Sequence, residues 1–180
     1  EAIGCHGQTI YHSPGSSPAF TIQIGDPNRV AQLTGITTVA DFRRRDIASG
    51  GQGAPLVPAF HQAIFQHQEH TRVILNIGGI SNITLLPAHR RPVMGFDTGP
   101  GNCLLDYWIN KHSGKSFDRA GNWAASGATN RRLLDILMDD DYFRQQPPKS
   151  TGTEYFSPGW LESRLSQFPD IPEADVQATL

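Results

Sequence analysis

A chain of 180 residues, 38 % hydrophobic and 18 % charged, is long and apolar enough for one packed domain or for parts of two. A formal net charge of −2 excludes a nucleic-acid surface built on bulk positive charge. No apolar run approaches the ~20 residues that span a bilayer, and no basic-then-apolar stretch opens the chain, so the reading is of a cytoplasmic protein with no membrane or nucleic-acid partner.

Ala2 to Cys5 reads as a short apolar strand that stops at "HGQT", and "YHSPGSSPAF" reads as a Pro/Gly/Ser loop. "FTIQIGD" alternates Phe20, Ile22 and Ile24 against Thr21 and Gln23, a half-buried strand pattern. "PNRVAQLTG" predicts a short helix with Pro27 near its first position, Val30, Ala31 and Leu33 on one side, and Gly35 as its stop. "ITTVADF" predicts a strand, "RRRDIASGGQGAPL" a polar glycine-rich segment, and "VPAFHQAIFQHQE" a helix with Val57, Phe60, Ala63 and Ile64 on one face.

A fresh unit starts after Gln66 to Thr71. "RVILNIGG" and "ISNITLLP" predict a β-hairpin turning at Gly78-Gly79, and "PVMGFD" a third strand. Helices follow at "NCLLDYWINKHSG", with Leu104, Leu105, Trp108 and Ile109 inward, and at "ATNRRLLDILMDDDYF", with Leu133, Leu134, Ile136 and Leu137 as its core. "PPKSTGTEYF" reads as a polar connection and "PGWLESRLSQF" as an amphipathic helix. This order predicts an α/β fold with a mixed sheet flanked by helices. The chain opens within what reads as a strand end, at Glu1, and closes on "DVQATL", which reads as a helix start. The expectation is an internal piece of a longer protein.

Five stretches carry chemistry. In "LNIGGISN" the turn needs backbone at φ > 0, which glycine supplies; alternatively Gly78 and Gly79 present bare N–H groups to a phosphate, with Asn76, Ser81 and Asn82 adding polar contacts. "ADFRRRDIASGGQGAPLVP" is either a solvated charged turn or a guanidinium cluster for a carboxylate or phosphate. "GCHGQT" presents His6 between two glycines, with Gln8 beyond. "PKSTG" is a connector or another phosphate contact. His61, His67 and His70 lack metal-ligand spacing, and Cys5 and Cys103 read as two reduced thiols; no metal site is expected.

"FDTGPGN" places Asp97 where a strand hands over to a helix, the position at which open α/β sheets bind ligands. Asp-Thr-Gly also marks aspartic proteases, but those pair two such carboxylates in an all-β fold, and only one is present here. Three roles stay open for Asp97 from the residues alone: general base, ligand of a hydrated metal ion, or structural cap.

Together, "IGCHGQTI", "IQIGD", "DFRRRDIASGGQGAPLVPAFH", "LNIGGISN", "GFDTGPGN" and "PPKSTGTEYF" resemble the anhydro-N-acetylmuramic acid kinase family of bacterial cell-wall recycling, in the family's order and over essentially the whole chain. The resemblance implies ribonuclease-H-like, actin-like lobes of the acetate and sugar kinase–Hsp70–actin superfamily. Residues 1–66 would be the end of the first lobe and the crossing segment, and 67–180 the start of the second. It implies an enzyme that uses ATP and Mg²⁺, opens the 1,6-anhydro ring with water and phosphorylates O6, and works as a homodimer. It makes Asp97 the base and Asn76, Gly78 and Gly79 the ATP phosphate contacts. It places His6, Gln8 and Thr9 on the sugar side; the cluster Arg43 to Arg45 is read as anionic sugar or phosphate contacts, with Arg44 chosen among the three, and Asp46 as a sugar contact and second choice for the base or for a metal-linked water. Motifs for the first phosphate loop and for adenosine are absent from these 180 residues, so the alternative is a catalytically silent folded module.

Overall fold

The computed structural model describes residues 1–180, the side chain of Arg90 excepted. Strand β1 (Ile3–Cys5) pairs in parallel with β4 (Thr38–Ala40), and β2 (Gln8–Ser13) pairs antiparallel with β3 (Phe20–Ile24). The expected loop from Tyr11 is strand through Ser13 instead. The run Thr9-Ile10-Tyr11-His12 is β-branched and aromatic, and the Pro-Gly-Ser turn starts only after it. Helix α1 (Pro27–Thr34) forms as its punctuation predicts: Asp26 accepts from the N–H groups of Asn28 and Arg29, and Gly35 closes it at φ 66°. It buries none of its residues, and Leu33 is 75 % exposed.

The polar segment after β4 contains a helix, α2 (Phe42–Ala48), which the sequence reading missed. Three adjacent arginines hide any apolar period in seven residues. The loop that follows is polar and glycine-rich as expected, and Asp46 holds it: its Oδ2 accepts the Gly53 N–H at 2.7 Å, and a Cβ on Gly51 would lie 2.1 Å from that oxygen. Helix α3 (Pro58–Phe65) turns the opposite way from its expected apolar face. Phe60 and Ile64 are exposed, and His61 is the buried residue.

The third sheet has order β5-β6-β7, all antiparallel: β5 (Arg72–Ile77), β6 (Ile80–Leu86) and β7 (Met94–Pro100). Helix α3 lies on one face of it. His61 Nδ1 is 2.8 Å from Thr84 Oγ1, and Pro55 and Pro58 pack on Gly95, where a Cβ would come within 2.4 Å of Pro58. A helical layer completes the chain: α4 (Asn102–Ser113), α5 (Arg131–Met138), α6 (Asp141–Arg144), α7 (Pro158–Leu165) and α8 (Glu173–Thr179). The core is built there, from Leu104, Trp108, Leu133, Leu137, Leu161, Leu165 and Val176. The single helix expected over 128–143 is two, because Asp140 leaves helical geometry and caps the Tyr142 N–H.

The glycines at the hairpin behave differently from the expectation. Neither Gly78 nor Gly79 is among the glycines at positive φ, and a Cβ on either meets neighbours only at ordinary contact distance, 3.6 Å and 3.8 Å. Gly101 is the constrained one. Its N–H donates to Gly79 O, the Asn102 N–H to Gly78 O, and a Cβ on Gly101 would sit 2.4 Å from Gly78 O. The hairpin tip therefore satisfies the first N–H groups of α4, which has no side-chain cap. Cys5 and Cys103 are free thiols.

Candidate active site

Asp97 lies inside β7, three residues before its end, not at the strand terminus. Register carries Asn76 onto Asn82 and Asn82 onto Asp97, so the three polar residues form one row across the sheet. Ser81 pairs with Gly99 and Asn82 with Asp97, so one extra residue, Thr98, bulges out of β7 beside Asp97. Bulges re-aim neighbouring side chains and recur beside active sites.

The 140–151 segment clamps Asp97 at three points. Its N–H donates to Lys149 O at 3.2 Å, its carbonyl accepts the Tyr142 hydroxyl at 2.7 Å, and its carboxylate Oδ2 accepts the Thr151 N–H at 3.0 Å. Among the described residues no donor reaches Oδ1. The side chain is 4 % exposed. Burial pushes its carboxyl above the usual carboxylate range, against the Thr151 N–H and the Arg43 charge, which both pull it down. Asp97 does not cap α4: its carboxylate is bound to Thr151, and carbonyls of the hairpin serve the helix.

The clamp is itself anchored. Lys149 Nζ donates to Tyr142 O at 2.9 Å and lies 4.6 Å over the Tyr142 ring. Burial and the Asp97 charge push the Tyr142 phenol far above its usual value, so it stays a donor. Asp140 accepts from the Tyr142 N–H and Tyr155 Oη on one oxygen, and from Trp160 Nε1 and Arg164 Nη2 on the other. Burial works to raise the Asp140 carboxyl. The hydrogen bonds from Trp160, Tyr142 and Tyr155 outweigh it and hold the group below the usual range.

A cavity of about 290 Å³ adjoins this cluster, lined by Thr9, His12, Arg43, Ile80, Thr151 and Glu154 among others. Asp97 is joined to it through Thr151 and Arg43. Seven buried side-chain polar atoms lack a partner among the described residues, and three of them belong to this cavity: His12 Nε2, Arg43 Nε and Thr151 Oγ1. A fourth, Asn82 Oδ1, stands beside Asp97 in the polar row. Orphaned buried polar atoms are costly and mark a place built for a polar ligand or water.

Of the residues singled out for the sugar, Thr9 is in this cavity. Arg44 is not: it is 68 % exposed and paired to Asp41, while its neighbour Arg43 is half-buried, donates to Gly53 O at 2.8 Å and carries its charge beside Asp97. His6 is exposed and shares a separate depression with Asp41 and Arg44. Gln8 is exposed and bonds to the Thr9 carbonyl. The Asp46 carboxylate is occupied by the glycine loop. Asn76 stands in the row with Asn82 and Asp97, and Gly78 and Gly79 form the hairpin tip as placed. His12, Glu154 and Tyr142 escaped the sequence reading, since no spacing links them to Asp97. Thr151 lies in the "PKSTG" stretch, whose phosphate reading pointed away from Asp97.

This is a mixed α/β fold with a desolvated carboxylate joined through Thr151 and Arg43 to a cavity that holds unpartnered polar atoms. The family model described as anhydro-N-acetylmuramic acid kinase matches residues 1–180, and the chain belongs to that family. It is 56 % identical over 179 residues to the anhydro-N-acetylmuramic acid kinase of Shewanella loihica, covering 99 % of this chain and 48 % of that protein. It is 58 % identical to those of Photobacterium profundum and Pasteurella multocida, covering 99 % of this chain and 47 % of each. The chain spans about half the length of the curated relatives it matches.

Proposed function

We propose that this chain supplies the catalytic base and much of the sugar-binding surface of an ATP-dependent kinase acting on 1,6-anhydro-N-acetylmuramic acid. One observation carries the reading: a buried carboxylate, held at both main-chain atoms and one oxygen, is joined through Thr151 and the Arg43 charge to a cavity of orphaned polar atoms. In the reaction, Asp97 takes a proton from water as that water's oxygen bonds to C1. The C1–O6 bond breaks, O6 accepts the γ-phosphoryl of ATP, and ADP leaves. A carboxyl raised by burial is a stronger base than an ordinary one, which suits this step. Arg43 faces the anionic side of the sugar.

The bare hairpin favours a phosphate contact. Neither its turn nor its packing requires glycine at 78 and 79, so the missing side chains serve what approaches from outside. Mg²⁺, when bound with the triphosphate, would neutralise charge on the migrating phosphoryl. Among the described residues no group of three His, Cys, Asp or Glu gathers to hold a metal. The wider reading is of two actin-like lobes meeting after residue 66, in a cytoplasmic homodimer.

The test is Asp97→Asn in the full product of the gene. Turnover should fall ~10²–10⁴-fold with sugar binding retained. Retention of more than about a tenth of the activity would remove Asp97 from the role of base.

A further inference from the structure

The hydrogen bonds around Thr21 bear on where the proton on His12 resides. Thr21 is buried at 3 % exposure, and its Oγ1 lies 3.1 Å from His12 Nδ1. The Thr21 hydroxyl donates to the Tyr11 carbonyl at 3.3 Å, and its oxygen receives Gln23 Nε2 at 2.7 Å. A hydroxyl has one hydrogen to give. In the arrangement that directs it at Tyr11, Thr21 accepts from His12 and Nδ1 carries the proton. Exchanging the oxygen and nitrogen of the Gln23 amide gives the same answer, because the hydroxyl then donates to Gln23 Oε1. In the neutral ring Nε2 is left as a bare lone pair. That atom is buried and unpartnered among the described residues, and His12 lines the cavity it shares with Arg43, Thr151 and Glu154.

We propose that His12 is a ligand-reading residue whose Nε2 accepts a hydrogen bond from an amide N–H or hydroxyl of the amino sugar, with Thr21 and Gln23 fixing its tautomer. This rests on the reading of the cavity as the sugar's site. Burial, then the nearby Arg43 charge, hold the imidazole in its neutral form, and Glu154 opposes them more weakly. Arg43 can only donate. A neutral acceptor opposite it lets the cavity distinguish a ligand that carries an anion and a donor from one that carries an anion alone.

The test uses the full product of the gene labelled with ¹⁵N at histidine. A long-range ¹H–¹⁵N spectrum should show His12 protonated at Nδ1 and bare at Nε2, and saturation with 1,6-anhydro-N-acetylmuramic acid should shift the Nε2 signal upfield. An Nε2–H tautomer, an imidazolium, or an Nε2 signal that a bound sugar leaves unmoved would overturn the proposal while sparing the sugar site. If the sugar does not bind the wild-type protein, the sugar site falls and this proposal with it. In kinetics, His12→Phe should raise KM about 10- to 100-fold, with the loss falling on KM more than on kcat. Thr21→Val, which keeps shape and removes the acceptor, should move the tautomer balance toward Nε2–H. An unchanged balance would show that Thr21 does not set it.

Discussion

The helical layer and the N-terminal strands are held together by different forces. Between α4 and α8, seven core side chains are at most 8 % exposed and pack on one another. Through β1 to α2 no hydrophobic side chain is buried to that degree; Ile10, Tyr11, Ile22, Ile24, Leu33 and Val39 are 45–75 % exposed. That region is tied by strand ladders, caps and polar contacts such as Asp46 to the glycine loop. Hydrophobic burial is the larger stabilising term, ~1.5–3 kcal/mol per fully buried large side chain, against ~0.5–1.5 kcal/mol net for a hydrogen bond. The cavity lies at the seam, with Arg43 and His12 from the weakly buried region and Ile80 and Thr151 from the other.

Truncating the core should break the molecule where truncating the first region does not. Leu161→Ala should cost ~2–5 kcal/mol in denaturant unfolding, and Leu33→Ala within ~0.5 kcal/mol. Equal costs would erase the contrast. The hairpin glycines offer a finer division. Gly101→Ala should destabilise by ~1–3 kcal/mol, because its Cβ meets a backbone carbonyl. Gly79→Ala should leave the melting temperature near wild type while weakening ATP binding by the full product. A loss of stability without loss of nucleotide affinity would return Gly79 to a purely structural role.

The two buried aspartates should respond to pH with opposite sign. The folded pKa of Asp140 is depressed, so its contribution is present above the unfolded carboxylate pKa and is lost as pH falls through the folded value. The folded pKa of Asp97 is raised, so its ionisation costs stability as pH rises from the unfolded value through the folded one. Asp97→Asn should therefore raise the melting temperature near pH 7, with the gain vanishing below pH ~4. A lower melting temperature at pH 7 would show the carboxylate to be structural. The smallest effect is kinetic: amides of α1 and α2 should exchange with solvent faster than those of α4.

Much of this was legible in the residues. Pro27 and Gly35 delimit α1 because ring closure and a left-handed cap are local properties, and the β5–β6 hairpin follows from two apolar runs around Gly78-Gly79. The inward residues Leu104, Trp108 and Ile109 of α4 follow from helical period. Period misled where a polar contact decided burial: α3 turns His61 inward because Thr84 gives it a partner, leaving Phe60 and Ile64 outside. Among three adjacent arginines nothing local separates Arg43 from Arg44. Arg43 reaches Gly53 and the Asp97 charge, while Arg44 closes on Asp41 three residues back.

The sequence by itself determined the family and many of the elements, and it singled out Asp97, since those reside in contiguous motifs and in backbone preferences spanning a few residues. Only the tertiary structure decided what surrounds that carboxylate. Its clamp comes from residues 142–151 and its cavity from 9–12, 43 and 151–154, groups brought together by register and packing across up to about 140 positions. Burial, orphaned hydrogen bonds and the resulting pKa shifts are properties of that convergence.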